Sequence, residues 1–186
     1  MQVIIGGYTA EMDGRGTGVR SLKADDAAPG ELTEVMTLTL PSPTYVIAHP
    51  VEPWLFAVTE GSPSQLHSIA REPDGRLSLI SSVESEGDFA CHLALAPDGL
   101  HLVVAHYGSG SVASFAVGEG GVLSPQIDLL VLDGSGPDAE RQAGSHAHQV
   151  VFDRDELLVA DLGGDQIHRL RFQLIDNGEV PGPFHQ

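Results

Sequence analysis

Along this chain apolar and polar residues alternate with a period of two, and the alternation returns in the same form at intervals. It is clearest in three segments: PTYVIAHPVEPWLFAVTEG at 43–61, ACHLALAPDGLHLVVAHYG at 90–108 and HAHQVVFDRDELLVADLGG at 146–164. Each opens on a short alternating run and turns at proline or aspartate. Each then enters a second apolar run and ends on a polar residue beside glycine. A period of two sends successive side chains to opposite faces, so both runs are predicted strands. No amphipathic helix is predicted anywhere.

Trp54, His101 and Glu156 hold corresponding places, so the unit recurs after 47 and then 55 residues. Repetition at roughly 40–50 residues, with about four strands per unit, is the signature of a β-propeller blade. The middle unit predicts strands at 91–96, 101–106, 112–117 and 122–132, separated by PDG, YGSGS and GEGG. In the unit before it, QLHSIA and RLSLISSV supply the third and fourth strands around REPDG. The chain opens out of phase. VIIGGYT at 3–9 matches the second strand HLVVAHYG, and GVRSLKA and ELTEVMTLTL follow as third and fourth. The last unit runs through QIHRLRFQL at 166–174 and ends in IDNGEVPGPFHQ, before a proper fourth strand.

The expected fold is therefore all-β: one partial propeller domain of four-stranded antiparallel blades over 1–186. It divides into an incomplete blade (1–41), two full blades (42–87 and 88–143) and a second incomplete blade (144–186). That is about three and a half blades, whereas stable propellers close with roughly 4–8. An open stack would expose sheet edges and apolar faces. The expectation is a piece of a longer chain whose missing half closes the ring; the alternative is self-association of two copies.

Charge narrows the partners. Nine basic residues face 26 acidic ones, for a formal charge of −17. That argues against nucleic acid or an anionic membrane as partner. The single cysteine, Cys91, excludes an intramolecular disulfide. The opening QVIIGGYTAEMDG has no basic n-region and no long apolar core, so a reducing cytoplasm is the expected location.

Propeller geometry then gathers the chemistry. Residues entering first strands and leaving second strands crowd one face around the axis. Leaving second strands are Tyr8, Glu60, His106, Tyr107 and Asp161; entering first strands are Cys91, His92, His146 and His148. Arg141 lies just before the last of these entries. His146 and His148 flank Ala147, so on a strand they share a face. For Glu60, Tyr107 and Asp161 a rival role is to satisfy backbone amides in the bends they precede. For His92 the rival is a hydrogen-bonded core position. An H-x-H pair beside carboxylates can hold a transition metal, but a neighbouring arginine disfavours a cation, and no metal is expected. No phosphate-binding glycine loop or dinucleotide motif occurs, so no cofactor is expected either, and there is no G-x-S-x-G nucleophile.

In these residues the chain resembles the lactonase-type seven-bladed β-propellers of the 6-phosphogluconolactonase family, over the N-terminal half. The resemblance rests on GGYT (6–9), AVTEG (57–61), CHLALAPDG (91–99), AHYGSGSVASF (105–115), RQAGSHAHQVVFD (141–153) and VADLGGDQI (159–167), in that order and spacing. It departs where Ala143, Gly144 and Ser145 replace a segment often acidic and proline-bearing, and where AHYG, with His106, replaces ANYG. The resemblance implies hydrolysis of a sugar lactone, most of all 6-phosphogluconolactone in the pentose phosphate pathway; some members are cyclases acting on muconate-type lactones. Hydrolysis of a cyclic ester needs an activated water, a place for the oxyanion and a hold on the substrate's anionic group. His148 or His146 is the candidate base, because imidazole titrates near neutral pH. Glu60 shares that role or orients the imidazole, and Arg141 clamps the anion or the oxyanion. His92, Tyr107, His106 and Asp161 are the candidate substrate-binding residues. The non-enzymatic alternatives are a propeller that serves as an interaction platform and an inactive product.

Overall fold

The computed structural model describes residues 1–25, 30–154, 156–172 and 184–185. They form four antiparallel sheets arranged as successive blades. Blade 1 has three strands, β1 (Gln2–Ile5), β2 (Val19–Ala24) and β3 (Leu32–Leu38). Blade 2 follows in simple order with β4 (Pro43–Ala48), β5 (Trp54–Thr59), β6 (Ser64–Arg71) and β7 (Leu77–Ser85). Blade 3 repeats it with β8 (Ala90–Leu95), β9 (His101–His106), β10 (Ser111–Ala116) and β11 (Asp128–Val131). Blade 4 holds β12 (Ala147–Asp153), β13 (Glu156–Asp161), β14 (Gln166–Phe172) and the short β15 (Phe184–His185).

The second strands show why the blades stack. On β9, Leu102 and Val104 enter the core shared with blade 2, which contains Phe56, Val58 and Leu66. The alternate residues Val103 and Ala105 enter the core shared with blade 4, beside Val150, Leu157 and Val159. On β5, Phe56 and Val58 face blade 3 while Leu55 and Ala57 pack with Val19 of blade 1. A strand covered on both faces must be apolar at every position, which accounts for the uniform runs LFAV and LVVA. Each Val, Leu or Phe so buried contributes about 1.5–3 kcal/mol. β13 differs: Leu157, Val159 and Asp161 are buried, while Leu158 and Ala160 are only half-buried.

The innermost strands β4, β8 and β12 lie side by side around the axis. Each carries a bulge at its second residue: between Pro43 and Tyr45, between Ala90 and His92, and between Ala147 and Gln149. The unpaired residues are Thr44, Cys91 and His148. A bulge re-aims one side chain and bends its strand, so the three equivalent bulges shape the centre of one face.

Two strand expectations are corrected. The fourth strand of blade 3 begins at Asp128 rather than at 122. Residues Glu119–Gly121 form a 3-10 turn, and Gly121 holds φ +80 against the Trp54 ring, where a Cβ would come within 2.9 Å. Pro125, without an N–H, then delays the ladder. In blade 4 a fourth strand is present, because Phe184 and His185 pair with Phe172 and Arg171. The expected third strand there, 166–174, is seen as Gln166–Phe172, and its last two residues lie outside the described ones.

Candidate functional site

One open cavity of about 1100 Å³ lies where the inner strand ends meet. Blade 1 contributes Tyr8, blade 2 Thr44 and Glu60, and blade 3 Cys91 and Tyr107. Blade 4 contributes His148 and Asp161, and the loop before it brings Arg141. Of the eight expected site residues, His148, Arg141, Glu60, Tyr107 and Asp161 border this space; His146, His92 and His106 do not.

Backbone ties set the wall. Thr9 and Ser42 join blades 1 and 2 reciprocally, each amide donating to the other's hydroxyl at 3.1 and 2.9 Å. This fixes Tyr8 beside Glu60, and the Tyr8 hydroxyl donates to Glu60 Oε2 at 2.8 Å. That bond, then partial burial, then the charge of Glu60, push the Tyr8 phenol up to about 12, so it stays a donor. Cys91 Sγ lies 3.4 Å from the carbonyl of His148 and 3.6 Å from that of Ala147. Burial, aided by the Glu60 charge, pushes its thiol up to about 12. A thiol held protonated is a poor nucleophile.

Arg141 sits in a tight turn closed by Gln142, whose amide N–H donates to Asp138 O at 2.7 Å. The Gln142 side chain accepts from Asp138 N at 3.0 Å and donates to Leu162 O at 2.9 Å. Gln142 thus pins the Arg141 loop to the β13–β14 turn. Arg141 itself is exposed, and among the described residues its guanidinium forms no ion pair. His148 is also exposed, with its ring edge-on to Tyr107 at 5.8 Å.

His146 has another task. Its Nδ1 lies 2.7 Å from Tyr107 O, so Nδ1–H donates there, and its ring stacks on the Tyr107 ring at 4.5 Å. Its amide donates to Asp161 Oδ1 at 2.7 Å. It joins blades 3 and 4 and does not reach the cavity wall, so its expected role as base is corrected to one of positioning.

Asp161 borders the cavity, yet its carboxylate is wholly buried. Oδ1 also accepts from Gly163 N at 2.9 Å and Gly164 N at 3.1 Å, and Oδ2 meets His168 Nε2 at 3.2 Å. Burial alone would raise its pKa, but the amides of His146 and Gly164, with His168 and Ser145, outweigh it and bring it to about 2. Its expected contact with substrate is therefore corrected: it organises the turn and the His146 entry.

His106 is fully buried, with Nε2 2.6 Å from Ser85 Oγ and Nδ1 3.2 Å from Ser111 Oγ. Gly87 lies on its ring, where a Cβ would come within 2.4 Å. No ligand in the cavity can reach it, so it is a core residue. His92 is half-buried, packed against Tyr45 at 4.0 Å, with Nδ1 facing Val150 N at 3.5 Å. Burial, then the nearby His148, hold its imidazole down to about 4. It does not border the cavity, where it was expected to bind substrate. Among the described residues no cluster of three or more His, Cys, Asp or Glu is placed to hold a metal ion.

Sequence reasoning left out Thr44, and gave Tyr8, Cys91 and Gln142 no role at the site. The sequence repeat does not bring Thr44, Cys91 and His148 to one position; only the bulges of the folded strands do.

Comparison with known proteins gives a consistent result. The family described as lactonase, 7-bladed β-propeller, matches residues 2–180. The chain is 25% identical over 181 residues to the 6-phosphogluconolactonase of Formosa agariphila, covering 94% of this chain and 51% of that protein. It is 26% identical over 174 residues to the 6-phosphogluconolactonase of Bacillus subtilis, covering 91% and 48%. Among solved structures, the periplasmic gluconolactonase of Pseudomonas aeruginosa superposes with a TM-score of 0.82 at 28% identity, over 92% of this chain and 50% of that one. The chain spans about half the length of the curated relatives it matches.

Proposed function

Since the chain belongs to the seven-bladed β-propeller lactonase family, we propose that the protein hydrolyses a sugar lactone, with 6-phosphogluconolactone as its substrate. That reaction belongs to the pentose phosphate pathway, with the cytoplasm as its expected location. The observation that carries the reading is that His148 and Arg141 border the same cavity, with neither side chain held in a hydrogen bond or ion pair among the described residues.

His148 takes a proton from water as the water oxygen bonds to the lactone carbonyl carbon. The carbonyl becomes an oxyanion. When it collapses, the bond to the ring oxygen breaks and His148 returns the proton to that oxygen. The products are a carboxylic acid and a free hydroxyl; the acid then loses its proton to solvent, leaving a carboxylate, so atoms and charge balance. Glu60, held by Tyr8, accepts hydrogen bonds from substrate hydroxyls. Arg141 clamps the phosphate through two parallel N–H donors. On a protein of charge −17, an anionic substrate needs such a local cation.

Arg141→Ala tests the reading. It should raise KM for 6-phosphogluconolactone about tenfold or more, as loss of a charge-assisted bond of about 1.5–3 kcal/mol requires. Hydrolysis of the uncharged gluconolactone should change little. Equal losses on the two lactones would remove the phosphate clamp.

A further inference from the structure

The part of the cavity wall formed by blade 2 holds a group that the mechanism above does not use. Thr44 borders the cavity, and its Oγ1 is shielded from solvent with no hydrogen-bond partner among the described residues. A buried hydroxyl left unpaired is unfavourable by about 1–3 kcal/mol, so its persistence calls for an explanation. The residue is the bulged one of β4, skipped by the ladder between Pro43 and Tyr45. Its counterparts on the next two blades, Cys91 and His148, border the same space. The Cys91 thiol is occupied by backbone carbonyls. Thr44 is the bulge hydroxyl without an occupation.

Its surroundings indicate what it would bind. Pro43 pairs with Thr59 across β4 and β5, and Glu60 N donates to Ser42 O at 3.1 Å. Thr44 and Glu60 therefore leave the same end of one blade. A hydroxyl beside a carboxylate suits a neutral polyol: the carboxylate accepts from one hydroxyl, and threonine donates to or accepts from another. It does not suit a phosphate, which Glu60 would repel. The cation, Arg141, comes from the loop leading into blade 4, two blades further round. Rotation about the threonine χ1 exchanges hydroxyl and methyl between staggered positions and breaks no existing hydrogen bond.

We infer that Thr44 is a specificity-determining residue that binds a secondary hydroxyl of the sugar lactone, so that the substrate lies with its hydroxyls on blade 2 and its phosphate at Arg141. The inference rests on the lactonase reading of this cavity and adds the substrate's orientation and a requirement for its hydroxyls.

The test is calorimetric titration of the full chain with two probes: 6-phosphogluconate, and 6-phosphohexanoate, which keeps both charged ends and lacks the secondary hydroxyls. Thr44→Val should weaken 6-phosphogluconate about tenfold, as one hydrogen bond implies, and leave 6-phosphohexanoate unchanged. Thr44→Ser should restore the affinity. Arg141→Ala should weaken both probes. Without ligand, Thr44→Val should melt at or above the parent's temperature, because it removes an unpaired hydroxyl. Unchanged binding of 6-phosphogluconate by Thr44→Val, equal losses on both probes, or a melting temperature lowered by several degrees would each overturn the assignment while leaving the Arg141 result standing. If the parent binds neither probe, the lactonase reading itself fails and takes the assignment with it.

Discussion

His67 and His106 are sealed inside blades, at 1% and 0% exposure. His67 is bonded to Thr59 and Ser82, His106 to Ser85 and Ser111. Burial lowers both imidazoles from 6.5 to about 4. The folded state thus binds these protons less readily than the unfolded chain. Their contribution to stability is complete above pH 6.5 and is lost as pH falls towards 4. By pH 5 the loss amounts to about 2 kcal/mol for each histidine. His106→Asn removes one of the two titrations, so the drop in urea midpoint between pH 7 and pH 5 should shrink relative to the parent. An undiminished drop would mean that His106 is protonated in the fold without cost. At this scale the sequence was a partial guide. It placed Glu60, Arg141 and His148 by strand order. It could not separate exposed His148 from buried His106, because that difference lies in which neighbour, Gly87 or open cavity, the ring meets.

The elements hold the site through close backbone contact. The segment carrying His146 and His148 is pressed between two glycine turns. A Cβ on Gly163 would lie 1.7 Å from Gly144 O and 2.9 Å from His146 N. A Cβ on Gly110, which has φ +60, would lie 2.3 Å from Ser145 O. Backbone atoms cannot yield at such distances, so the loop itself must shift. Gly163→Ala should therefore lower turnover by about 10²-fold, the scale set by a displacement of about 1 Å at a reacting group. Far-UV circular dichroism should keep its strand signature. Full activity in this variant would show that the loop has room. The alternating pattern made the strands legible, and β9 begins and ends where it indicated. The bulges were not legible, since an extra residue leaves composition and alternation almost untouched. The start of β11 was missed because Gly121 is set by the distant Trp54 ring rather than by its neighbours.

At the scale of the molecule, one cavity joins four blades whose cores are linked through strands such as β5 and β9. Distant stretches of chain, from Tyr8 to Arg141 and His148, come together because each blade repeats the same direction change at the same end. A single repeat could not do this; the period accounts for the fold that brings these residues together, and the lactonase reading rests on the motifs themselves. In the proposed reading, Arg141 is the point that takes the anionic end of the ligand, and the Tyr8–Glu60 pair, with Thr44, takes its hydroxyls. The central claim is that His148 activates water at this cavity. The most direct measurement is the rate of 6-phosphogluconolactone hydrolysis, followed by NMR above the spontaneous rate, for the parent and for His148→Ala. The account predicts a parent rate clearly above background and a fall of about 10²–10⁴-fold in the variant, the usual share of a general base. A parent rate equal to the spontaneous one, or a variant as fast as the parent, would contradict it.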